Sequence, residues 1–148
     1  KCFIDRLGNS TMGQFQNHFT SGEEDMPKLL KVVGSITNGI HMCSGQEHTQ
    51  TQLINHALVC RCIPVPGDTW KSYLGSAGWT SNKFEKDALK CQLKKGELDA
   101  SVIVKSAESV GMRCAEMALI IREGMIKCKD YFKSDPYYLP YYNKIEKE

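Results

Sequence analysis

Asp99–Lys133 reads DASVIVKSAESVGMRCAEMALIIREGMIKCKDYFK. Within it Ile103, Ala107, Val110, Cys114, Met117, Ile121, Met125, Cys128 and Phe132 follow one another at steps of three or four. That spacing returns each side chain to one face of a 3.6-residue helix. Asp99 is suited to cap the start, and no proline intervenes until Pro136. Lys127, Lys129 and Lys133 match the negative end of the helix dipole. Gly111 and Gly124 are the weak points, each costing up to about 1 kcal/mol relative to alanine. The spacing predicts a helix over about 99–133, about 50 Å long at about 1.5 Å per residue, around which the rest of the chain is organised.

Upstream, Lys94-Lys95-Gly96 stops a shorter helix that begins near Asn82 and buries Phe84, Ala88, Leu89, Cys91 and Leu93. Gly75, Gly78 and Trp79 read as loop, and Asp68–Leu74 as one or two helical turns carrying Trp70 and Tyr73. Pro64-Val65-Pro66-Gly67 breaks the chain. Before it, Leu53, Ile54, Ala57 and Leu58 predict a short helix ending at Cys60-Arg61-Cys62. Met26, Leu29, Val33, Ile36, Ile40 and Cys43 form a second strong stripe, with Pro27 in the first turn, predicting a helix over Asp25–Cys43. Met12, Phe15 and Phe19 suggest another near 10–19. Downstream, Tyr137-Tyr138-Leu139-Pro140-Tyr141-Tyr142 reads as an extended segment, because Pro140 interrupts a regular helix. No convincing strand and no repeat emerges. The expected fold is all-α: a compact bundle of four to five helices in a single domain spanning 1–148, with a Tyr/Pro-rich C-terminal segment over 134–148.

Hydrophobic content of 41% and charged content of 24% fit a globular protein. A net charge of +2 without a basic run gives no footprint for nucleic acid. The longest apolar runs are too short for membrane insertion. Seven cysteines without a C-x-x-C pair, together with a sequon at Asn9-Ser10-Thr11, predict a secreted, disulfide-stapled glycoprotein modified at Asn9. The start at Lys1 suits a chain whose signal has been removed.

The disulfide candidates are Cys2, Cys43, Cys60, Cys62, Cys91, Cys114 and Cys128. In a continuous helix Cys114 and Cys128 lie about 21 Å apart, far beyond the Cα separation of about 4.4–6.8 Å that a disulfide needs. Each should therefore staple the long helix to a different neighbour. Cys60 and Cys62 are too close in sequence to pair with each other. The odd number leaves one thiol over, and Cys2, near a terminus, is the candidate for it, either free or bridging a homodimer.

Chemistry is sparse. His18, His41, His48 and His56 form no zinc motif, and no nucleophile elbow, phosphate loop or calcium loop is present. No catalytic residue, cofactor or metal ligand is assigned. Two aromatic groups remain: Trp70, Tyr73 and Trp79 about a glycine-containing loop, and Tyr137, Tyr138, Tyr141 and Tyr142 in the tail. Trp and Tyr dominate binding hot spots, so these seven are the partner-contact candidates. The expected function is non-enzymatic binding of another macromolecule, as a soluble ligand, inhibitor or outer domain of a surface protein. A carrier of small hydrophobic ligands, using Met12, Met26, Met42, Met112, Met117 and Met125, is one alternative. A small secreted hydrolase without a recognisable motif is the other.

Overall fold

The computed structural model describes residues 30–145, and the order of elements is β1 (Val32–Val33), β2 (Ile36–Gly39), α1 (Gln46–Val59), β3 (Ile63–Pro64), a 3-10 turn (Trp70–Ser72), β4 (Ser76–Trp79), α2 (Ala88–Lys94), α3 (Leu98–Lys127), α4 (Lys129–Phe132) and α5 (Leu139–Ile145). Cys2, Asn9 and the expected helix near 10–19 lie outside the described residues.

The expectation of an all-α bundle is overturned by four strands in two parallel pairs, β1 with β3 and β2 with β4. The first two lie inside the stretch expected to be helical through Cys43. Val32, Val33, Ile36 and Thr37 are β-branched, and Gly34 and Gly39 weaken a helix further. Apolar residues at 33, 36 and 40 suit a helical stripe, but the backbone preference of this run is extended.

The two pairs form one ribbon. Ile63 N–H donates to Lys31 O (2.8 Å), Val65 to Val33 O (2.9 Å), Ser76 to Ser35 O (2.9 Å) and Thr80 to Gly39 O (3.1 Å). Every acceptor is odd-numbered, and alternate carbonyls of a strand point to the same side. β3 and β4 therefore lie end to end along one edge of the segment 31–39. The second strand is interrupted by an excursion over residues 66–75. Pro64, which has no N–H to give, falls where the ladder does not call on it.

The faces of the ribbon alternate with the same period. Odd residues turn to α1: Val33 packs on Ala57, Cys60 and Cys62, and Thr37 Oγ1 lies 3.5 Å from Gln46 O. On the other face Gly34 and, from the partner strand, Ser76 and Gly78 turn to α3, whereas Ile36 and Asn38 of β2 are exposed. A Cβ built on Gly34 would run into Val110 and Cys114, and one on Gly78 into Ile103. These two glycines make the flat floor on which α3 lies. Buried Ile103 and Val110 are the principal apolar contacts of α3 on that floor, each contributing about 1.5–3 kcal/mol of burial. The arrangement is a three-layer α/β unit, helix on ribbon on helix, with α1 as the crossover that parallel strands require.

The long helix runs from Leu98 to Lys127 and breaks at Cys128, short of the expected 133. The helix upstream begins at Ala88 rather than near Asn82. Gly78 and Trp79 belong to β4, not to a loop. Pro140 sits in the first turn of α5, where its missing N–H costs nothing, so the tail is helical rather than extended.

Stapling by disulfides is also overturned among the described residues: Cys43, Cys60, Cys62, Cys91, Cys114 and Cys128 are all free. Once the ribbon forms, Cys114 faces Gly34 rather than a second cysteine, and Cys60 and Cys62 pack into the small cluster with Ala57. No helix among the described residues is long and apolar enough to cross a membrane.

Candidate functional site

The excursion over 66–75 is braced by hydrogen bonds from within the loop, from the ribbon and from α3. Pro66 ends the strand begun by β3, and Gly67 N–H then donates to Ser72 O (2.9 Å). A Cβ at Gly67 would collide with the Ser72 hydroxyl, so glycine is required for this closure. Ser72 N–H returns to Thr69 O (2.9 Å) and Gly75 N–H to Ser72 O (3.1 Å). Gly75 has φ 138°, a conformation that side chains rarely adopt, and it lets the chain re-enter the ribbon at Ser76.

Serines pin this loop from all sides. The side chain of Ser72 is fully buried, with its Oγ 3.1 Å from Thr69 O and 3.2 Å from Thr69 Oγ1. Ser35, on β1–β2, donates to Leu74 O (2.8 Å). From α3, Ser106 donates to Lys71 O (3.3 Å) and Ser109 accepts from Asp68 N–H (2.8 Å). Arg113, one turn further along α3, stands 3.8 Å from the Asp68 carboxylate. That pair is exposed and contributes little. The buried hydroxyl contacts fix the backbone, because leaving such groups unpaired costs about 1–3 kcal/mol each.

On this fixed backbone Trp70 and Tyr73 point outward, 80% and 67% exposed. The Lys71 ammonium lies 5.6 Å from the centroid of the Trp70 ring. The ordering cost of presenting two large aromatic rings to a partner is largely met within the folded chain.

The other contact candidates are placed elsewhere. Trp79 ends β4 and lines a depression at the amino end of α1. Tyr142 is buried (5% exposed) and donates to Met125 O (3.0 Å), tying α5 to the far end of α3. Burial, first of all, pushes its phenol above the ordinary tyrosine value. Tyr137, Tyr138 and Tyr141 are half-buried, Tyr138 against Phe132 with ring centroids 4.8 Å apart and Tyr141 against Tyr142 at 5.9 Å. Met125 is 16 residues along α3 from Ser109, about 24 Å, so the tail packs at the carboxyl end of that helix and the excursion about its middle.

Sequence reasoning missed the bracing serines. Ser106 and Ser109 were visible on α3, Ser106 between Ile103 and Val110 on the apolar stripe, where a polar residue calls for a buried partner. Burial raises the thiol pKa of Cys60, Cys62 and Cys114, that of Cys62 further through neighbouring Cys60. Among the described residues no three His, Cys, Asp or Glu side chains gather so as to hold a metal ion. No protein-family model matches the chain, and neither does a curated protein or a solved structure.

Proposed function

We propose that the protein works by binding another macromolecule through the 66–75 excursion, with Trp70 and Tyr73 as anchors. The supporting observation is the pairing of two highly exposed aromatic side chains with a backbone locked by buried serines. Exposed aromatics on a mobile loop would lose much of their contact energy to ordering, whereas these are already ordered. The carrier alternative draws no support from Met42 and Met112, which are both exposed.

Extracellular residence is part of the proposal and rests on the Asn9 sequon, since the described cysteines are unpaired. Mass loss on glycosidase treatment of protein from its natural source supports it, and an unchanged mass overturns it.

The binding proposal is tested by retention of proteins from an extract of the source on immobilised wild type and on the Trp70→Ala/Tyr73→Ala variant, quantified by mass spectrometry. Circular dichroism confirms that the variant is folded. Species retained by wild type and lost by the variant support the reading. Identical retention by both refutes it.

A further inference from the structure

The ribbon has two long edges, and the one along 32–38 is open. In a parallel ladder the N–H and C=O of one residue point to the same side. Odd residues of the segment 31–39 direct both groups to β3 and β4, so Val32, Gly34, Ile36 and Asn38 direct theirs away from the ribbon. Among the described residues no strand or loop takes these groups up. Such an edge is a template for a further strand, and proteins commonly blunt it with proline, charge or a bulge. Residues 32–39 read Val-Val-Gly-Ser-Ile-Thr-Asn-Gly, with neither a proline nor a charge.

The side chains along this edge are those of an inner strand. Ile36 is 57% exposed and shares the face of Gly34, on which α3 lies. It stays uncovered because α3 leans over the inner strand, where Ser76 donates to Ile103 O (3.4 Å) and Gly78 sits under Ile103. A second copy of the chain suits such an edge. A two-fold axis through Ile36, normal to the sheet, runs the two edges antiparallel. It sets Ile36 against the second copy's Ile36, and Gly34 against the second copy's Asn38, so that outward-pointing groups meet one another. No charged residue lies in the paired stretch, so no like charges are opposed. The layers also match in width. Two strands about 4.8 Å apart occupy about the 10 Å that one helix needs, so each ribbon brings its own cover of α1 and α3.

We infer that the chain forms a homodimer by pairing the 34–38 edges of two copies into one four-stranded sheet. The two Ile36 side chains fill the trough between the two α3 helices. The contact uses no cysteine. It also lies on the strand that does not carry the 66–75 excursion, so it stands independently of the recognition surface proposed above.

Sedimentation equilibrium of the full chain in reducing buffer, with amide exchange followed by NMR over the same concentrations, tests this. The expected result is a monomer–dimer equilibrium in which the Gly34, Ile36 and Asn38 amides exchange more slowly as the dimer fills. Ile36→Lys opposes two ammonium groups across the axis and withdraws an apolar contact. Asn38→Pro removes an outward N–H and leaves the bonds to β4 in place. Each should raise the dimer Kd at least about tenfold, with an unchanged circular dichroism spectrum. The exchange measurement needs wild type alone, so it decides the matter even where a variant does not fold. A monomer at every concentration overturns the inference, as does a dimer in which those three amides gain no protection. Dimerisation left intact by both folded variants overturns it too, and so does growth beyond two copies, which a closed two-fold contact does not allow.

Discussion

Gly34→Ala separates the ribbon from the helix that the sequence suggested, because the two give opposite signs. Gly34 lies between β1 and β2 outside the left-handed region, so alanine meets no backbone strain there. The cost is steric: the added Cβ would approach Cys114 Sγ to 2.7 Å and lie closer still to Val110 Cγ1. Both belong to α3, which must lift from the ribbon. Overpacking of this kind costs about 1–3 kcal/mol. Reduced freedom of the unfolded chain offsets about 0.4–1 kcal/mol of it. The net expectation is a loss of about 1–2 kcal/mol, read as a lower urea midpoint with an unchanged slope. In a helix over 25–43 the same substitution would stabilise by about 1 kcal/mol. Adding Val110→Ala makes room for the new methyl, so the double variant should be more stable than the sum of the singles by about 1 kcal/mol. A stabilised Gly34→Ala, or strict additivity with Val110→Ala, would refute the packing of α3 on this floor.

Three further outcomes are expected of the same packing. Ser72→Ala removes a fully buried hydroxyl and should cost about 1–2 kcal/mol, with faster amide exchange over 67–75 as its local signature. Tyr142→Phe leaves Met125 O without its partner; a similar loss of about 1–2 kcal/mol is expected, together with faster proteolysis between α4 and α5. The pH profile has a fixed sign: thiols whose pKa is raised in the fold favour the neutral form, and Cys60, Cys62 and Cys114 are all raised by burial. Their contribution is complete below the unfolded thiol value of about 8.5 and is lost as pH rises through the folded values. The urea midpoint should be level across neutral pH with respect to these groups and fall above about pH 8.5, and a rise there would contradict the burial.

Much of the framework was legible in the sequence, and the misreadings have physical causes. The stripe from Ile103 to Met125 identifies α3 because seven residues repeat one period across about six turns. The stop at Lys94-Lys95-Gly96 falls where α2 ends. The stretch 32–39 failed because its apolar residues fit helical spacing while its β-branched residues and glycines favour extension, and a short strand carries too few residues to resolve the two. β4 was hidden because Ser76-Ala77-Gly78-Trp79 has little strand character of its own; its small side chains make sense only under α3. The cysteines suggested bridges by number alone, but pairing depends on which faces the ribbon brings together. At the candidate site Trp70 and Tyr73 were recognisable by residue type, whereas Ser35, Ser72, Ser106 and Ser109 come together only through the tertiary fold.

In the proposed function Trp70 and Tyr73, and not the tyrosines of the tail, carry recognition. The direct measurement is titration calorimetry of an isolated partner against wild type, Trp70→Ala, Tyr73→Ala and Tyr137→Ala/Tyr138→Ala. Each of the first two variants should lose at least about 2 kcal/mol, roughly 30-fold in Kd, while the tail variant binds as wild type does. Undiminished binding by Trp70→Ala and Tyr73→Ala, with weakened binding by the tail variant, would contradict the claim.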